Sequence, residues 1–169
     1  MTMFTIHGQF NIPYEKRKGG RTLVFDSFWD GDSAAHYLRN KCGCYVFAIR
    51  TGRGLTPIYV GKATKTFGQE TFNPTNKHKY QNGFSEYARG LPVIFFVMHP
   101  TKKGKKNMKE IAEIEDFLIQ AGIVKNPRLE NVRGAQRPRW SIQGVVRSGK
   151  GKPSKAGADF TRLFDLAHE

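Results

Sequence analysis

Between Cys42 and Ala63 the chain reads CGCYVFAIRTGRGLTPIYVGKA, and no other stretch restricts the fold as much. Tyr45, Phe47 and Ile49 alternate with Val46 and Ala48, which is the period of a strand. TGRGLTP then supplies turn residues, and PIYVG resumes strand character. Two strands joined this closely pair antiparallel most simply. A third run, LPVIFFVMHP, is apolar and bounded by prolines, as expected of a central, well-buried strand. Near the N-terminus, MFTIHGQFNI has strand character, and SFWDGDSAAHYLRN reads as a turn followed by a short helix with Asp32 or Ser33 as N-cap.

After the third run, Asn107 is placed to cap a helix from about Met108 to Ala121, and Gly122 to end it. At about 100° per residue, Met108, Ile111, Ile114, Phe117, Leu118, Ile119 and Ala121 spread over one broad apolar face. Glu115 projects from within that face. Glu113 and Asp116 fall on the polar side, and Glu110 sits in the first turn, where the helix dipole favours a carboxylate. An unpaired charge in such a place costs roughly 3 to 5 kcal/mol. Two readings satisfy it: a structural ion pair with a basic side chain, or coordination of a metal ion.

Lys and Arg number 28 against 14 Asp and Glu, a formal net charge of +14. Such a field concentrates polyanions, so nucleic acid is the default partner. From Lys125 to Lys155 nine basic residues accompany one acid, Glu130, and a second basic cluster, KKGKKNMK, spans Lys102 to Lys109. The two cysteines, Cys42 and Cys44, stand one residue apart in an extended run without other metal-ligating neighbours, and both read as packing residues. The N-terminus lacks the pattern of a signal peptide, and no apolar run approaches the roughly 18 residues of a membrane span. The expectation is a cytoplasmic protein.

The triplets Gly43-Cys44-Tyr45 and Tyr59-Val60-Gly61, on two strands separated by a short turn, resemble the signature triplets of the GIY-YIG nuclease superfamily. Downstream, EDFLI resembles the family helix in which a glutamate precedes a Leu-Ile pair, here Glu115, and NPRLEN places Asn131 at the family's asparagine. These elements span Gly43 to Asn131. The resemblance implies an α+β fold, a small three-stranded antiparallel sheet flanked by helices. The expected organisation is an N-terminal extension (1–40) packed on a core (41–135), with a basic C-terminal extension (136–169), all in a single compact domain.

The resemblance further implies an endonuclease acting on DNA, duplex or branched, with one Mg2+ or Mn2+ held by Glu115. Tyr45 would accept the proton of the attacking water, with Tyr59 orienting water or phosphate. The family places an arginine, often with a histidine or tyrosine one turn later, on a helix after the second triplet, but residues 62–84 contain no arginine. Lys62, next to the second triplet, and the cluster Lys77, His78, Lys79 and Tyr80 are the available substitutes, with Lys62 the catalytic candidate. Lys65, Lys77, His78, Lys79 and Tyr80 are candidates for positioning phosphate or water, and Arg89 is a more distant substitute. Gly43 and Gly61 would let a phosphate approach the strands closely.

Asn131 would either position nucleic acid or hold the Glu115 helix, and Arg133 and Arg139 would contact the DNA backbone. Trp140 reads as a core anchor rather than a stacking platform. A protein this small with one active site nicks one strand per encounter unless it forms a homodimer or turns around. The alternatives are a non-catalytic nucleic-acid-binding module with the same fold and an RNA-directed basic protein.

Overall fold

The computed structural model describes residues 2–52, 54–100, 106–131 and 154–163. The chain divides into two units, Met1–Ala135 and Gln136–Glu169. In chain order the first contains β1 (Thr5–Asn11), β2 (Tyr14–Arg17), β3 (Gly20–Leu23), a 3-10 turn at His36–Leu38, β4 (Gly43–Thr51), β5 (Gly54–Ala63), α1 (Phe67–Glu70), α2 (Pro74–Ser85), β6 (Leu91–Met98) and α3 (Met108–Lys125). In the second, α4 covers Lys155–Leu163. No helix among the described residues is long and apolar enough to cross a membrane.

The central sheet corrects the three-stranded expectation: it has four strands in the order β1-β6-β4-β5, and β2 and β3 form a separate two-stranded sheet. All neighbours are antiparallel. The additional strand is β1, which pairs with β6 from Thr5↔Met98 to Asn11↔Val93. β6 is the apolar run bounded by prolines, and without β1 its outer edge would present unpaired backbone groups. Residues 1–40 also supply Ile12, Leu23, Phe28 and Leu38 to the main core, so this segment is integral to it.

Pleating assigns side chains to two faces. On one, Tyr45, Phe47 and Ile49 of β4 and Ile94 and Phe96 of β6 lie under Phe67 of α1 and Tyr80 and Phe84 of α2. Phe47 stacks on Tyr80 with ring centroids 4.6 Å apart. On the other face, Cys44, Val46, Val60 and Val97 meet Ile111, Leu118, Ile119 and Ile123 of α3. Both cysteines are free thiols buried in this layer.

Local expectations shift in three places. TGRGLTP is mostly strand, because the β4–β5 ladder continues to Thr51↔Gly54. The helix expected after Ser33 shortens to the 3-10 turn, with Ser33 Oγ accepting from the Ala35 N–H at 3.2 Å. Gly122 lies inside α3, where it leaves room for Leu129, and the helix runs on to Lys125 with Asn126 as its extended C-cap. Asn126 precedes Pro127, which disfavours helical backbone at the residue before it.

Candidate active site

The two signature triplets stand opposite each other on β4 and β5, with Tyr45 paired to Gly61 and Tyr59 to Phe47. Both phenols therefore project from the α2 face, with ring centroids 6.4 Å apart. The glycines make room for the protein's own groups. A Cβ on Gly61 would lie 2.5 Å from the Tyr45 ring, and one on Gly43 (φ +141°) would lie 2.0 Å from the Val97 carbonyl oxygen. Gly61→Ala is therefore expected to lower stability by about 1–3 kcal/mol through overpacking. Urea unfolding measures this loss, and adding Tyr45→Leu should recover part of it.

Tyr45 is only 2% exposed, and its oxygen accepts a hydrogen bond from Asn76 Nδ2 at 2.8 Å. Burial pushes its phenol well above the ordinary value, and neighbouring Tyr59 adds to the rise. Burial thus disfavours the phenolate that Tyr45 would need to act as general base. The Tyr59 phenol is raised by burial first and then by the charge of Glu115. Tyr59 is half-buried, with the Lys79 ammonium 4.6 Å from its ring centroid.

Lys62 and Glu115 meet on the opposite face. Lys62 pairs across from Cys44, on the α3 side of the pleat. Along α3, positions 111, 115, 119 and 123 form one stripe at four-residue spacing, with isoleucine at every position except Glu115. The stripe is narrower than the sequence suggested: Met108 is 43% and Phe117 70% exposed. Lys62 Nζ donates to Glu115 Oε2 at 2.6 Å, with side-chain exposures of 40% and 17%. The charge of Glu115 raises both phenols across the sheet and also the Cys44 thiol on its own face, which burial drives up to about 12.

The remaining candidates separate by location. Tyr80 is fully buried and donates to the Thr71 carbonyl at 3.1 Å, so it belongs to the core and not to a substrate-binding surface. Lys77 lies 3.9 Å from Asp26, and exposed His78 lies 3.2 Å from Asn82. Lys65 is exposed; its N–H donates to Glu70, and its carbonyl accepts from Lys106 Nζ at 2.7 Å. Asn131 makes both its hydrogen bonds to one residue of the edge strand β5, accepting from the Val60 N–H at 2.9 Å and donating to the Val60 carbonyl at 2.7 Å. Arg133, Arg139 and Trp140 lie outside the described residues.

Sequence reasoning missed Asn76, which also donates to the Glu70 and Thr71 carbonyls at 2.9 and 3.3 Å. A signal was present: Asn73-Pro74 is a helix start, with a side-chain cap followed by proline at the first helical position. That start puts Asn76 in the first turn. The Asn73 side chain accepts from the Asn76 N–H at 3.0 Å and so anchors the turn beside Tyr45.

The raised phenols and thiols make stability pH-dependent. Tyr45, Tyr59, Tyr80 and Cys44 all keep their protons to higher pH when folded, chiefly through burial. Their contribution is complete below the unfolded-state values of 9.0 for the thiol and 10.0 for the phenols. Above these values the unfolded chain releases protons that the folded chain retains, so stability falls as pH rises, by up to about 1.4 kcal/mol per group and pH unit. Urea midpoints should be flat from about pH 7 to 8.5 and fall steeply beyond about pH 10, with a shallower fall in Tyr80→Phe.

Among the described residues no group of three or more His, Cys, Asp and Glu side chains gathers at one point. The donor present is one hard carboxylate, which fits an ion such as magnesium that keeps most of its waters and takes one or two protein carboxylates. No family model, curated protein or solved structure matches the chain.

Proposed function

We propose that the protein is a metal-dependent endonuclease that hydrolyses DNA phosphodiester bonds. The observation that carries this reading is Glu115, the one carboxylate in a stripe of isoleucines, held 2.6 Å from the lysine that follows the second signature triplet. Both phenols stand near the same end of the hairpin and sense that charge. The net charge of +14 supports a polyanionic substrate.

In this reading Glu115 holds a single Mg2+ or Mn2+, which supplies Lewis-acid charge stabilisation at the scissile phosphate. Lys62 pairs with the carboxylate in its apolar stripe, and its exposed flank gives it a path to a phosphate oxygen. Tyr59, the more accessible phenol, orients the attacking water, while Lys79 adds positive charge over its ring. Tyr45 is a positioning residue, locked by Asn76 on one side and seated over Gly61 on the other. The test is nicking of supercoiled plasmid in magnesium or manganese by the wild type and by Glu115→Gln. Equal nicking by both sinks the assignment of Glu115.

A nucleic-acid-binding module without cleavage is the second reading, and one observation favours it. Asn76 and, one turn later, Tyr80 occupy α2, the helix on which the resemblance would place an arginine followed by histidine or tyrosine. A neutral amide at that point removes a cation from the phosphate site. Salt-sensitive DNA binding with no nicking under any divalent ion would establish this reading over the first.

A further inference from the structure

The β2–β3 ribbon has no part in the site described above, yet it is held rigidly at its base. The Leu23 N–H donates to Gln81 Oε1 and Gln81 Nε2 donates to the Arg21 carbonyl, both at 2.9 Å. The Arg21 guanidinium lies 4.1 Å from the Phe84 ring centroid and donates to the carbonyls of Tyr87 and, at 2.7 Å, Gly90. Tyr14 packs edge-on against Phe84 at 5.4 Å, and Leu23 is buried. Hydrogen bonds and ring packing therefore tie the base to α2.

The tip is different. Glu15, Lys16, Arg17, Lys18, Gly19 and Gly20 are all exposed, and the ladder closes at Arg17↔Gly20 around residues 18 and 19. Pleating sends Lys16 to one face and Arg17 to the other, with Lys18 at the turn. Arg17 pairs with Glu15 at 2.8 Å, but the side chains are 65% and 55% exposed, so water screens the pair and leaves the guanidinium open to a stronger anion. Exposed Arg89, between the two residues whose carbonyls Arg21 holds, adds positive charge near the base.

We propose that this ribbon is a second DNA contact, its basic tip entering the major groove of a duplex. Its two strands have four residues each, about 13 Å at ordinary strand rise. A two-stranded ribbon fits a major groove about 12 Å wide and about 8.5 Å deep. Cations on both faces and at the tip match a channel lined by phosphates on both sides. The ribbon's attachment to α2 couples this grip to the helix that carries Asn76 and Lys79. The inference rests on the nucleic-acid reading of the preceding section and specifies which surface takes the duplex. Lysine at a ribbon edge also discourages strand pairing between molecules, a role that leaves DNA affinity untouched.

The experiment is fluorescence anisotropy of a labelled random-sequence duplex with the full chain, without divalent metal, across a series of salt concentrations. The proteins are the wild type, Lys16→Gln/Arg17→Gln/Lys18→Gln, and a control, Lys41→Gln/Lys109→Gln/Lys125→Gln, that removes three exposed charges elsewhere. The ribbon variant should bind at least about tenfold more weakly at about 0.1 M salt and lose about two to three units of the slope of log K against log salt, each phosphate contact contributing about 0.9. The control should lose less than half as much. Equal losses in both variants, or wild-type affinity and slope in the ribbon variant, overturn the ribbon contact while leaving DNA binding intact. Absence of any salt-dependent binding by the wild type overturns the nucleic-acid reading itself. All six residues are exposed, so the three proteins should share one melting temperature.

Discussion

Glu115→Gln is expected to reduce plasmid nicking by about a thousandfold, equivalent to about 4 kcal/mol of transition-state stabilisation. The exchange keeps the shape of the side chain and removes only the charge that would hold a hard cation. Its effect on folding should be small. Lys62 is 40% exposed and can turn its ammonium to water once its partner is neutral, so the loss is about 1 kcal/mol or less. Plasmid nicking by wild type and variant at matched folded concentration, together with urea unfolding, separates the two effects. A variant that nicks normally would leave Glu115 as half of a structural pair. A variant that fails to fold would mean that the pair holds α3 to the sheet.

Asn131→Ala is expected to lower stability by about 2–4 kcal/mol, because two buried backbone groups of Val60 would each lose their partner. β5 is an edge strand, and the segment after α3 covers that edge. Asn126 Nδ2 donates to the Pro57 carbonyl at 2.7 Å, the Glu130 N–H donates to the Ile58 carbonyl at 2.8 Å, and Asn131 completes the row at Val60. The Asn131 amide acts as a short piece of strand. Chemical unfolding measures the loss. Asn131→Asp should fall between the two, since it keeps the acceptor for the Val60 N–H but loses the donor to the carbonyl. A variant as stable as the wild type that binds DNA more weakly would return Asn131 to the nucleic-acid role.

Part of the site is legible in the amino-acid sequence, for local reasons. The two triplets lie within one hairpin, and Glu115 breaks the four-residue spacing of a single helix stripe, so neither requires knowledge of distant contacts. The Glu115 partner is not legible in the same way. The helix alone demands a basic residue or a metal, and the choice of Lys62 depends on strand parity, which puts residue 62 on the α3 face and residues 59 and 61 on the other. The same parity separates Lys62 from the phenols of Tyr45 and Tyr59, which project from the α2 face. Asn76 is hidden because residues 62–90 are polar with weak periodicity, and its meaning comes from a hydroxyl 31 positions earlier in the chain.

By itself, then, the sequence determined the β4–β5 hairpin, the buried run of β6 and a helix with one carboxylate on its apolar side, since each arises from the period and composition of a single segment. Tertiary structure alone decided that β1 would seal the edge of β6 and that Asn131 would seal the edge of β5. It also set Gly61 to make room for Tyr45, and it buried Tyr45 too deeply to ionise readily. Those outcomes depend on which unpaired edges and which voids remain after distant segments have come together, and side chains and backbone groups then meet across dozens of residues to fill them.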